Sequence, residues 1–152
     1  MPGLSAADLI AHFLKRRFRD PARSDAQAFR EARTLGNLDV VLRLALGLPV
    51  EFRDPSLHGR GAAARLERDA LSCITQCFFR DDATHYEVLG LPPDASPDAV
   101  RENFRLLMQL IHPDRRGAGM AWPEDFAARA NGAYAVLKVP ETRAAYDSEL
   151  AE

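Results

Sequence analysis

His112, Pro113 and Asp114 follow one another at the end of an amphipathic segment, and these three are the residues best suited to chemistry at a surface. A loop at a helix end holds polar side chains away from the core, where a partner can reach them. Pro113 restricts the backbone, so less ordering entropy is lost on docking. Asp114 offers a carboxylate that can pair with a partner arginine through a charge-assisted hydrogen bond. His112, at a helix C-terminus, suits a donor role there. Taken alone, the tripeptide reads as an ordinary proline helix stop beside a solvated acid.

Other reactive side chains point to little. His12, His58, His85 and His112 fall in no nucleophile, metal or acid–base motif, and no glycine loop could cradle a phosphate. Neither catalysis nor a cofactor is expected. Cys73 and Cys77 lie four apart on one helix face, but zinc wants four ligands and no nearby Cys or His pair supplies the rest. Buried thiols filling a helix seam are the better reading. Lys15, Arg16, Arg17 and Arg19 end the first helix, where cations complement its dipole. A lipid- or RNA-contacting patch is the sharper alternative for them.

The elements that must position these residues are all helical. The chain has 152 residues, 47% of them apolar, and a net charge of −2. That suits one domain or two small ones and gives no reason to expect nucleic-acid binding. The longest apolar run, Leu44 to Val50, is far below the roughly 20 residues of a membrane span. Two cysteines and no leader-like segment point to a reducing compartment, the cytoplasm.

Residues 1–82 predict a small four-helix bundle. Ser5 and Asp8 resemble a capping box, followed by Leu9, Ile10, Phe13, Leu14 and Phe18 at helical spacing. Asp20-Pro21 stops that helix. Asp25 to Leu35 forms a second, with Gly36 as C-cap. Leu38 to Leu48 is apolar nearly all round and should be buried. Residues 49–61 are a loop, and Ala62 to Phe79 is the fourth helix.

Residues 83–152 predict a separate helical unit. Tyr86 to Leu89 makes a short helix ended by Gly90. Ser96 caps the next, Pro97 takes its first position, and Val100, Phe104, Leu107 and Ile111 form its buried stripe up to the Pro113 stop. Arg115 to Gly119 is a loop. A helix from Pro123 to about Lys138 turns Phe126, Ala130, Ala133, Tyr134 and Leu137 inward and packs antiparallel on its predecessor. Pro140 opens a last short helix that carries Tyr146 back onto the hairpin.

The blocks Thr84 to Leu91, Ala95-Ser96-Pro97-Asp98, Phe104-Arg105, His112-Pro113-Asp114, Asn131 to Leu137 and Arg143 to Asp147 occur in an order and spacing that resembles a J domain over residues 84–148. J domains are the modules with which Hsp40-class co-chaperones recruit Hsp70. The resemblance implies an all-α fold of three helices plus one. It also implies a DnaK-type Hsp70 as partner, bound through His112, Pro113, Asp114, Arg101, Arg105, Arg115 and Asn131, with stimulation of that partner's ATP hydrolysis. The N-terminal helices would then serve targeting or client binding.

The sequence also departs from the family. Glu102, Leu106 and Leu110 stand where the family often has lysines, and Ala130 replaces a larger aliphatic. Residues 83–152 carry 7 basic and 11 acidic side chains, a net of −4. Steering toward an acidic groove is weakened accordingly. The competing reading is a scaffold that keeps the fold and couples poorly to Hsp70. Leu106, Met108 and Leu110 leave the second helix apolar on nearly every side, which calls for a cover. The N-terminal bundle is the expected cover, through the helix ending near Phe79.

Overall fold

The computed structural model describes residues 4–19, 36–112 and 122–151. Among them are seven α-helices and no strand. The predicted helix at 25–35 and the loop after His112 lie outside the described residues, as does the Phe18 side chain.

Helix α1 (Ala6–Arg19) starts as expected. The Asp8 N–H donates to Ser5 Oγ at 3.1 Å, and the Ser5 N–H donates back to Asp8 Oδ2 at 2.9 Å. Asp8 does more than cap, however. It is fully buried, and its Oδ1 accepts the N–H groups of Arg53 (2.9 Å) and Asp54 (3.3 Å), strapping the following loop to α1. Asp54 in turn caps a 3₁₀ turn (Pro55–His58) and meets His12 Nε2 at 2.7 Å. Ile10, Phe13 and Leu14 form the inward stripe, but Leu9 does not join it: one position off, it is 41% exposed.

Helix α2 (Asp39–Ala45) is shorter than its apolar run, because the chain turns at Gly47 and leaves Leu48 at the surface. Val41, Leu42, Leu44 and Ala45 are buried as expected. Helix α3 (Ala62–Cys73) runs on into a π-helical turn (Ile74–Phe78). Cys73 and Cys77 are unbridged, buried thiols in that seam.

The C-terminal elements follow the expected pattern. Thr84 and Glu87 form a full capping box for α4 (His85–Val88). Ser96 Oγ accepts the Ala99 N–H to cap α5 (Pro97–Ile111), with Pro97 at the first position. Helices α6 (Glu124–Leu137) and α7 (Pro140–Ala151) complete the chain, and α6 packs on α5, α4 and α7. Phe126, Ala130, Ala133 and Leu137 point inward from α6. Along α5 the buried set is Val100, Asn103, Leu106, Leu107 and Ile111. Phe104 is not fully buried and lies face to face with Tyr134, ring centroids 4.0 Å apart.

One apolar core runs through both halves of the chain. The cover over α5 is α2, not the helix ending near Phe79. That helix delivers Phe79 onto α6 instead, where it stacks on Phe126 at 3.9 Å beneath the Arg129 guanidinium. Arg129 also donates to the carbonyls of Phe79 (2.9 Å) and Arg80 (2.6 Å), so the connection is clamped to α6 at its first residues. Beside it, Gly90 has φ +67°, and a Cβ there would meet Phe78 at 2.6 Å. Both the backbone and the space therefore require glycine. Gly90→Ala should cost at least about 1–2 kcal/mol from the left-handed backbone alone, read as a lowered urea midpoint.

Two carboxylates make the N-terminal strap acid-sensitive. Burial alone would raise Asp8, but the hydrogen bonds from Ser5, Asp54 and Arg53 outweigh it and hold the group below the usual range. The Ser56 N–H and hydroxyl, then His12, hold Asp54 down to about 2. A depressed folded-state pKa contributes stability above the unfolded value, and that contribution is lost as pH falls through the folded one. Urea midpoints should therefore drop between roughly pH 4 and about 2. Asp54→Asn, which keeps an acceptor for Ser56, should flatten part of that drop.

Candidate functional site

The site residues are carried at the end and along the outer face of α5. The helix ends at Ile111 because a residue before proline is driven out of the helical region. His112 accordingly has φ −62° and ψ 135°, donates its N–H to Met108 O at 3.0 Å, and is exposed. Pro113, Asp114 and Arg115 lie outside the described residues.

Behind His112 runs a concave surface lined by Arg101, Phe104, Arg105, Met108, Gln109, His112 and, from α6, Tyr134. The stacked Phe104–Tyr134 pair forms its floor, and Lys138 lies over the Tyr134 ring at 5.4 Å. Arg101 and Arg105 thus stand on one face with His112. Asn131 is exposed on α6, one turn before Tyr134, and does not line this surface.

Both cations are already paired on their own helix. Arg101 bonds Asp98, and Arg105 makes a fork to Glu102, Nη2 to Oε1 at 2.6 Å and Nε to Oε2 at 3.1 Å. Arg105, against the cost of burial, holds the Glu102 carboxyl below its usual range, and Arg43 adds to this. Arg43 comes from α2, with Nη2 3.1 Å from the same Oε1.

The opposite flank of α5 is committed inward. Asn103 Nδ2 donates to Asn37 Oδ1 (2.8 Å), Leu89 O (2.9 Å) and Gly90 O (3.3 Å), and Gly90 O also accepts the Leu38 N–H at 2.9 Å. Sequence reasoning passed over Asn103. The available signal was an amide on the apolar stripe of the helix, three residues after Val100 and four before Leu107, where a polar side chain must find partners when buried.

The Arg143 to Asp147 block holds the base of the hairpin rather than a partner. Arg143 donates to Tyr86 Oη at 2.9 Å and Ala95 O at 2.7 Å, while Tyr86 Oη donates to Asp147 Oδ1 at 2.5 Å. Tyr146 Oη accepts the His85 N–H at 2.9 Å, and its ring tilts against His85. Burial and the Asp147 contact push the Tyr86 hydroxyl up, while burial lowers His85.

This arrangement is that of a J domain, and residues 84–147 match the family model described as the DnaJ domain. That segment, under half of the chain, is therefore a J domain. The chain is similar to Chaperone protein DnaJ of Dinoroseobacter shibae, 41% identical over 63 residues covering 41% of this chain and 16% of the relative. DnaJ of Ruegeria sp. is 44% identical over the same shares. DnaJ homolog subfamily B member 14 of Xenopus tropicalis is 34% identical over 133 residues, 83% of this chain and 33% of the relative. That last alignment extends beyond the J domain into the N-terminal helices. The chain spans only a sixth to a third of the length of these relatives. No solved structure gives a significant match.

Among the described residues there is no cluster of potential metal ligands, and no helix is long and apolar enough to cross a membrane. Truncating Asn103 would strand the Leu89 carbonyl, whereas Asn37 Oδ1 would keep the Asp39 N–H. Asn103→Ala should therefore lower stability by about 1–3 kcal/mol, measured by urea denaturation followed by circular dichroism.

Proposed function

We propose that this chain is a co-chaperone that docks on a DnaK-type Hsp70 through His112, Pro113, Asp114 and the outer face of α5, and stimulates its ATP hydrolysis. One juxtaposition carries the reading. Within a J domain, the His-Pro-Asp tripeptide directly follows a helix whose exposed face gathers Arg101, Phe104, Arg105 and Met108. Apolar rings flanked by cations suit an acidic, partly apolar groove, and Arg115 follows the tripeptide in sequence. Asn131, on the neighbouring helix, would meet the partner at its margin. ATP stays with the partner; the co-chaperone acts by binding one of that partner's states better than another. Targeting or client binding falls to the N-terminal helices, where Leu48, Val50 and Phe52 line an apolar groove. The cytoplasm, where DnaK-type partners work, is the proposed location.

A scaffold with weak Hsp70 coupling is the second reading. It is favoured by the pairing of Arg101 with Asp98 and of Arg105 with Glu102, which leaves little cationic field. Single-turnover ATP hydrolysis by the cognate Hsp70 separates the two. The wild-type chain should accelerate hydrolysis and His112→Gln should abolish the acceleration. Acceleration by neither protein favours the scaffold.

A further inference from the structure

We infer that Arg43, on the N-terminal helix α2, is a positioning residue of the docking surface: it holds Glu102 while Arg105 turns outward to a carboxylate of the partner. The inference rests on the co-chaperone reading and deepens it.

Arg105 is the cation on the exposed face beside Phe104, yet both its bonding nitrogens are engaged by Glu102. To pair with a partner carboxylate it must let go of Glu102. In an isolated helix that release would leave an unpaired carboxylate one turn from the arriving one, and like charges repel. Here Glu102 Oε1 has a second donor, Arg43 Nη2 at 3.1 Å, from the far side of the docking face. Asp39, one turn before it on α2, holds the Arg43 Nε at 3.1 Å and aims the guanidinium. The docking of α2 on α5, through Asn37, Leu38 and Asn103, keeps this donor within reach when Arg105 leaves. Glu102 therefore has a holder on each side, one belonging to the docking face and one to the N-terminal helices. The N-terminal helices thus enter the partner interaction without touching the partner.

The side chains of Arg43, Glu102 and Arg105 are 34%, 38% and 55% exposed, so the effect is solvent-screened and should be modest. In the Hsp70 ATPase assay with the whole chain, Arg43→Ala should raise the half-stimulating concentration about two- to fivefold, with the maximal rate unchanged. Arg43→Lys should recover part of the loss. Glu102→Gln alone should lower the half-stimulating concentration, because Arg105 is freed, and on that background Arg43→Ala should have no effect. Should Arg43→Ala fold poorly, Arg43→Gln, which keeps a side chain of similar reach without the charge, is read in its place. Stimulation indifferent to both positions overturns the inference, as does an Arg43→Ala effect that persists on the Glu102→Gln background. No stimulation by the wild-type chain overturns the co-chaperone reading and this inference with it.

Discussion

The carboxamide of Asn103 sits where the two halves of the chain meet, and the rest of the arrangement depends on it. The carbonyls of Tyr86 and Glu87 are met within the turn that closes α4, by the N–H groups of Leu89, Leu91 and Gly90. Those of Leu89 and Gly90, just past the helix, are met by Asn103 from α5, and Gly90 O also by Leu38 from the N-terminal half. The left-handed turn at Gly90 accompanies that shared acceptor and leaves room for the Phe78 ring. The polar knot sets register, while apolar burial supplies the greater stabilisation. A fully buried leucine is worth roughly 1.5–3 kcal/mol, whereas a half-exposed pair such as Arg43–Glu102 contributes about 1 kcal/mol at most. Apolar burial therefore outweighs the ion pair in holding α2 on α5.

This packing gives a physical account of the departures from the family pattern. Glu102 answers Arg43 across the contact, so its sign suits the N-terminal half. Leu106 shares a flank with Glu102 and Asn103 by helical spacing and is fully buried; a lysine there would need to bury its charge or displace α2. The half-buried Leu110 continues that flank. Side chains that look like losses of a basic surface are thus the inner face of a covered helix.

The helices were legible from apolar spacing and caps: Ser5, Ser96 with Pro97, Gly90 and the Pro113 stop each mark a boundary by local chemistry. The thiol seam and the inward face of α6 were legible for the same reason, except at Tyr134, which was expected inward and is only partly buried beside Phe104. What local patterning could not supply was which helix meets which. The need for a cover over α5 was visible in Leu106 and Leu110, but α2 and the helix ending near Phe79 are both apolar enough to serve. The Arg129 clamp and the Phe79–Phe126 stack decided between them, and both join residues about fifty apart in sequence. Phe104 fits the inward stripe by spacing; in the folded chain a half-exposed aromatic does as well when Tyr134 lies flat against it. Of the site, Arg101, Arg105 and His112 were singled out by the family resemblance, and the structure brings the three to one face. The pairing of the two arginines with Asp98 and Glu102 was written in the i, i+3 spacing and passed unread.

With its cations paired on the same helix and residues 83–152 net negative, the proposed docking face cannot rely on a long-range field. Beyond a Debye length of about 8 Å such pairs look nearly neutral. Recognition then falls to short-range features: the Phe104–Tyr134 stack, the Met108 side chain, and the exchange of one carboxylate partner for another at Arg105. Each internal pair must be opened to admit an external one, so the net gain per contact is small and geometry decides which partner succeeds. On the proposed reading, a face of this kind would trade speed of encounter for selectivity, and the N-terminal helices, by holding Glu102 in place, would become part of what is selected.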